Sequence, residues 1–181
     1  MKQNALLQTQ LTTERLILRL LRPEDEEALF RLCQDEAIAR NTARVKSPYT
    51  REDAGQWIAY TLEASQRGEE FVFAVLLDGE MAASCGLSAK EDAASDEWEL
   101  GYWVGAPYRG KGVATEAGKA AIGFARNALG ARRITSGRFS DNPASGAVLT
   151  KLGLKPTGEI ASIRSIGRGC DVENIRYRMD F

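Results

Sequence analysis

The stretch Glu99-Leu100-Gly101-Tyr102-Trp103-Val104-Gly105-Ala106-Pro107-Tyr108-Arg109-Gly110-Lys111-Gly112-Val113-Ala114-Thr115-Glu116 decides how this chain is read. It opens as a strand, with Leu100, Tyr102 and Val104 on one face and Glu99, Gly101 and Trp103 on the other. Pro107 ends any ladder. A turn of small and basic residues follows, and from Thr115 the pattern turns helical, with Ala117, Ala120, Ala121, Phe124 and Ala128 recurring at three and four. Strand, glycine turn and helix form an anion-binding layout, because the first N–H groups of a helix lack partners and its dipole favours negative charge there. Arg109 and Lys111 add cations, so the expected ligand carries phosphate.

A Walker-type loop needs Gly-x-x-x-x-Gly-Lys-Ser/Thr, but Lys111 is followed by Gly112, and Thr115 lies too far along to hold magnesium. A dinucleotide fingerprint needs a third glycine where Thr115 stands. Arg-x-x-Gly-x-Ala fits, as Arg109, Gly112 and Ala114. With Gly101-Tyr102-Trp103-Val104 before it and Thr115-Glu116-Ala117 after it, the phrase resembles the acetyl-coenzyme A loop of the GNAT superfamily of N-acetyltransferases, in its RimJ/RimL-type branch. The resemblance spans residues 11–180 and is strongest over residues 99–154.

The composition allows this. With 181 residues the chain can hold one domain with a sizeable core, expected over residues 1–181, and 44% hydrophobic with 27% charged residues is ordinary for a soluble globular protein. A net charge of −1 gives no broad nucleic-acid footprint. No apolar run is long enough to span a bilayer, and residues 1–10 lack the pattern of a signal peptide, so the expected location is cytoplasmic. Cys33, Cys85 and Cys170 are scattered, which excludes a zinc or disulfide framework; the first two are expected buried and the third exposed. There is no histidine, so triad chemistry and histidine metal ligation are excluded and no metal is expected. Amine attack on a thioester needs no enzyme nucleophile and survives that exclusion.

Taken in order, residues 13–21 read as a strand with Leu16, Leu18 and Leu20 on one face. Pro23 starts a helix with an acidic, solvated first turn and an apolar stripe of Ala28, Leu29, Leu32 and Cys33. Thr50 and Asp53 form a capping box for a helix burying Ala54, Trp57, Ile58, Thr61 and Leu62. Residues 41–47 have no period; in the family this region borders the acceptor cleft. Strands over residues 71–77 and 80–88 flank an Asp78-Gly79 turn, and residues 90–96 are loop-like. Gly130 caps the central helix, and residues 133–139 form a strand parallel to the Glu99 strand. Asp141-Asn142-Pro143 opens another helix, with Ala147, Val148, Leu152 and Leu154 expected on its buried side. Two strands, at residues 155–163 and 171–181, complete the chain.

This order makes an α+β domain. The resemblance implies the GNAT fold: a central, mostly antiparallel mixed sheet with a splayed parallel strand pair, flanked by helices. It also implies acetyl transfer from acetyl-CoA to a primary amine, with a protein N-terminal α-amine as the expected acceptor. An α-amine has a pKa of ~7.7–8.0 against ~10.4 for lysine, so it demands less of a base. Cofactor contacts fall to Trp103, Val104, Arg109, Gly110, Lys111, Gly112, Val113, Ala114, Thr115 and Asn142. A backbone N–H at Val104 or Trp103 matches the thioester-polarising donor. Glu99 is the candidate base, ahead of Glu97. Many family members carry a tyrosine where Leu149 stands; the RimJ/RimL-type Asn-x-x-Ser pattern instead puts Asn142 at the cofactor arm and Ser145 at the sulfur. Glu116 has a structural reason at the helix start and is given no catalytic role. Arg164 and Arg168 could attract an acidic acceptor. Competing readings are a small-molecule amine acetyltransferase (amino acid, polyamine or antibiotic), a non-catalytic acyl-CoA-binding module and, remotely, a nucleotide-binding protein. A homodimer stays open.

Overall fold

A computed structural model describes residues 6–90 and 96–181. Residues 91–95, most of the loop expected between the two strands there, and residues 1–5 lie outside the described residues. Eight strands form one sheet: β1 (Gln10–Thr12), β2 (Leu16–Leu20), β3 (Glu70–Leu77), β4 (Glu80–Ala89), β5 (Glu97–Val104), β6 (Arg133–Phe139), β7 (Lys155–Ser165) and β8 (Cys170–Asp180). Their order is β1-β2-β3-β4-β5-β6-β8-β7, antiparallel except for β5 and β6. The helices are α1 (Glu26–Cys33), α2 (Glu36–Asn41), α3 (Arg51–Arg67), α4 (Val113–Phe124) and α5 (Pro143–Lys151).

The alternating strand residues divide the core in two. Leu16, Leu18, Phe71, Phe73, Leu87, Trp98 and Leu100 pack with Ala117, Ala121 and Phe124 of α4 and Leu149 of α5. Val72, Ala74 and Met81 point to the opposite face and pack with Leu29, Leu32 and Cys33 of α1 and Ala54 and Ile58 of α3. Thr50 and Asp53 form the expected capping box of α3. Gly130, at φ 75°, ends the turn that continues α4. Cys33 and Cys85 are buried, with burial pushing both thiols up to about 12, and Cys170 is exposed.

Three local expectations are corrected. The helix α2 was not foreseen; Asp35 caps it by accepting from the Ala37 N–H. At α5, Leu152 and Leu154 are buried as expected, but within the helix the buried residues are Gly146 and Leu149, while Ala147 is exposed and Val148 only partly covered, because the helix docks through the Leu149 side onto the α4 layer. The acidic start of α1 is not wholly solvated. Asp25 is 5% exposed and takes two 2.7 Å bonds from Arg19 and one from the Arg22 N–H. Asp25→Ala would strand a largely buried guanidinium, so a loss of about 3 kcal/mol is expected, read as a lower urea midpoint at unchanged m-value.

Candidate active site

The parallel pair β5–β6 is short. Register runs only through Glu97↔Arg133, Trp98↔Ile134 and Glu99↔Thr135. Beyond Glu99 the strands part, although the Ser136 hydroxyl still donates to the Leu100 carbonyl at 2.8 Å. The gap therefore opens alongside Tyr102, Trp103 and Val104, whose outer peptide groups lose their β6 partner while β4 holds them on the other side. This is the splay expected from the sequence.

At the end of β5 the chain makes one 3-10 turn, Ala106–Tyr108, and enters the glycine loop. Gly110 and Gly112 sit at φ 73° and 79°, in the left-handed region where a Cβ is strained, which curls the backbone in front of α4. Gly112 is the N-cap of α4, and no side chain caps the helix, so its first N–H groups remain available to an anion. A cavity of about 650 Å³ lies beside this end, lined by Gly112, Thr115, Lys119 and Lys151 among others.

The loop is braced from two sides. Glu116 accepts from the Thr13 hydroxyl (2.6 Å), the Arg15 N–H (3.0 Å) and the Arg15 guanidinium (2.6 and 2.8 Å). Arg15 also donates to the Lys111 carbonyl. Glu116 thus ties the α4 start to the β1–β2 turn. Arg109, expected as a phosphate donor, bonds Asp35 at 2.5 Å and the Val104 carbonyl at 3.1 Å. Its charge is already matched, and it clamps the end of β5 to the α2 cap. Lys111 is exposed, with its ammonium 6.0 Å from the Tyr108 ring.

Inside the gap, α5 begins at Asn142, whose side-chain oxygen accepts from the Ser145 N–H at 3.2 Å. Ser145 meets Tyr102 from β5: the two hydroxyl oxygens are 2.9 Å apart, and the phenol is 3.1 Å from the Ser145 carbonyl. Tyr102 and Val104 border the α4-side core, whereas Trp103 packs on the α1–α3 side. The Trp103 side chain is thus on the far face from Tyr102 and Ser145, and its backbone is what borders the gap. Val113 is buried, while Ala114 and Thr115 are partly covered.

Glu99 points to the α1–α3 face with Gly101 and Trp103. It bonds Arg176 of β8 at 2.9 Å and Lys90 at 3.4 Å. Burial pushes its carboxyl up, but Arg176 and Lys90 together outweigh that and hold it below the usual carboxylate range. Beyond it this face is lined by Gly101 of β5 and by Asn174 and Arg176 of β8. Gly101 is exposed, and a Cβ on Gly137 would fall 2.0 Å from Asn174 Oδ1 and 2.9 Å from the Arg176 guanidinium. On the same face Glu70 is paired with Arg44 at 2.6 Å, and Arg44 lies over the Trp57 ring. Glu97 is bonded to Arg133 at 3.2 Å.

The β7–β8 turn docks on the α2–α3 connection: the Ile166 N–H donates to the Ala43 carbonyl, the Ser165 hydroxyl to the Thr42 carbonyl, and Arg168 Nε to the Arg40 carbonyl. Arg168 also makes a two-pronged pair with Asp141 at 2.9 and 3.0 Å, so it is a strut of the cleft wall. Arg164 pairs with Asp171 on the exposed hairpin.

Lys119, Lys151, Arg176 and Lys90 were not singled out in the sequence. Lys119 had a signal, since it follows Thr115 by four residues and shares its helix face. Arg176 had none, because its partner Glu99 is 77 residues away. Among the described residues no group of three or more His, Cys, Asp or Glu is placed to hold a metal, and no helix is long and apolar enough to cross a membrane.

The sequence profile of the family described as "Acetyltransferase (GNAT) domain" matches residues 15–155. Among solved structures, Mycobacterium smegmatis RimJ in complex with CoA-disulfide is 19% identical, with a TM-score of 0.84 over 96% of this chain and 88% of that one. RimL, a ribosomal L7/L12 alpha-N-protein acetyltransferase in complex with coenzyme A, is 19% identical, with a TM-score of 0.83 over 96% and 98%. The microcin C7 self-immunity acetyltransferase MccE, in complex with acetyl-CoA and AMP, is 18% identical, with a TM-score of 0.82 over 93% and 94%. At these identities the likeness establishes the fold.

Proposed function

Because this chain belongs to the GNAT acetyltransferase family, we propose that it transfers acetyl from acetyl-CoA directly to a primary amine, and that the acceptor is the α-amine of a protein N-terminus. One observation carries the reading: an uncapped helix start behind two left-handed glycines opens beside the gap between β5 and β6.

The residues present suit this co-substrate. The α4 N-terminus, with Gly110, Lys111, Gly112, Val113, Ala114 and Thr115, would take the pyrophosphate through backbone N–H groups and the Lys111 ammonium. Lys119 and Lys151, on the adjoining cavity, would meet further phosphate. Asn142, Trp103 and Val104, which border the gap, would contact the pantetheine arm. A β5 N–H would polarise the thioester carbonyl. Ser145 would hydrogen-bond the departing sulfur, and Glu99 would draw the amine's proton through water.

The acceptor preference rests on the α1–α3 face. Among the described residues, Glu70 and Glu99 on this face are each paired with arginine, which leaves neither as an unbalanced charge for a polyamine. The docked β7–β8 turn bars one end. A floor closed at one end accepts the end of a chain better than a chain passing through. A small amine is the second reading, favoured by the same closure.

The test is thermal unfolding with acetyl-CoA, CoA, ATP and NAD in parallel, followed by mass spectrometry of acetyl transfer to peptides with free N-termini, to acetyl-blocked lysine peptides and to spermidine. Stabilisation by acetyl-CoA and CoA with acetylation of free N-termini is the expected result. Stabilisation by ATP or NAD alone overturns the co-substrate. Preferential acetylation of spermidine overturns the acceptor.

A further inference from the structure

The Ser145 hydroxyl is a weak proton donor on its own, and what lies behind it decides how well it can serve a sulfur. Behind it is Tyr102. The phenol crosses from β5 to α5 just where the strands have parted, and its one proton has two acceptors within reach: Ser145 Oγ at 2.9 Å and the Ser145 carbonyl at 3.1 Å. Leu149, one turn further along α5, is fully buried and carries no hydroxyl, and among the described residues of α5 it is Ser145 that meets Tyr102.

The two acceptors define two proton arrangements. In one, Tyr102 donates to the carbonyl and receives the Ser145 proton, so the serine presents lone pairs to the gap. In the other, Tyr102 donates to Ser145 Oγ, and the serine proton is free to point into the gap. Negative charge on a sulfur there selects the second arrangement, because an anion draws the donor and a lone pair repels it. Burial pushes the phenol up to about 12, so it stays protonated and able to donate throughout the working range.

We propose that Tyr102 is a positioning residue that turns the Ser145 hydroxyl into a hydrogen-bond donor to the thiolate of coenzyme A. This rests on the co-substrate reading above. In the step it serves, the amine nitrogen bonds the acetyl carbon and gives its proton to water beside Glu99. The carbon–sulfur bond then breaks, and its electron pair stays on sulfur. The sulfur accepts the Ser145 proton in a hydrogen bond while the Tyr102 phenol donates to Ser145 Oγ. No proton leaves Tyr102, so no phenolate forms.

The relay is testable without an acceptor amine. A bound thiolate that receives a hydrogen bond has a lower pKa than the free thiol. CoA binding therefore strengthens as pH rises from the bound thiol's pKa and levels off at the free thiol's, gaining tenfold per unit of difference. Acetyl-CoA has no ionisable sulfur and corrects for every other titration. Calorimetry of CoA and acetyl-CoA binding from pH 6 to 9.5 is expected to show about a tenfold rise in the CoA to acetyl-CoA affinity ratio for the wild type. Tyr102→Phe should lose most of that rise and Ser145→Ala all of it, with acetyl-CoA affinity at pH 7 within about threefold in both variants. A wild type with no rise, or a Tyr102→Phe variant that keeps the full rise, overturns the relay while leaving the co-substrate reading standing. Failure of the wild type to bind acetyl-CoA overturns both. A purely packing role for Tyr102 would lower acetyl-CoA affinity and leave the pH-dependent ratio intact, which also overturns the relay.

Discussion

Gly112→Glu is expected to abolish acetyl-CoA binding while the protein stays folded. Gly112 sits at φ 79° as the N-cap of α4, and a Cβ there meets only the Arg15 guanidinium at 3.4 Å. The cost in the free protein is one left-handed non-glycine residue, about 1 kcal/mol. The cost to binding is far larger, because a carboxylate would occupy the place of the phosphate at the positive end of the helix. Wild type at ~100 times the dissociation constant should gain about 2.7 kcal/mol, a midpoint rise on the order of 5–10 °C at this size. The variant should show no rise. Gly112→Ala separates the causes: it carries the same backbone strain without the charge and should keep part of the rise. If Gly112→Glu still binds, the phosphate does not lie at this helix start.

Glu99→Gln is expected to lower turnover on an α-amine by about 10²–10⁴-fold, the range for losing a positioned base, with acetyl-CoA binding little changed, since Glu99 faces away from Ser145. The pH profile adds a sharper mark. Arg176 and Lys90 hold the carboxyl below its ordinary range, so it is an anion throughout neutral pH and loses its charge only as pH falls through that depressed pKa. The rise of rate between pH 6 and 8 should therefore follow the acceptor's amine, and using an acceptor of lower amine pKa should move the rise to lower pH. Glu99 also stabilises the fold by its pairing, a contribution present at neutral pH and lost on acidification. Turnover within threefold of wild type in Glu99→Gln would remove Glu99 as the base and leave water alone in that role.

Much of this was legible in the chain because it is local. Strand alternation around Leu16 and Leu100, the Thr50–Asp53 capping box, and the glycines at residues 110, 112 and 130 depend on neighbours within a few positions, and each forms as read. The parallel placing of β5 and β6 followed from the helix between them. What failed locally had a tertiary cause: α2 is a short helix held by the Asp35 cap and by Arg109, 74 residues away.

The sequence by itself determined the fold class, the strand–glycine loop–helix now proposed to receive phosphate, and the exclusion of histidine chemistry, since these depend on residue type and spacing along one segment. Only the tertiary structure decided how charges and hydroxyls are spent. It committed Arg109 to Asp35, gave Glu99 to Arg176 and Lys90, made Arg168 a strut from the β7–β8 turn to Arg40 and Asp141, and brought Tyr102 to Ser145 across 43 residues. The reason is range: a backbone turn is fixed by its own dihedrals, whereas a side chain's partner is fixed by which strands become neighbours and by where two of them part.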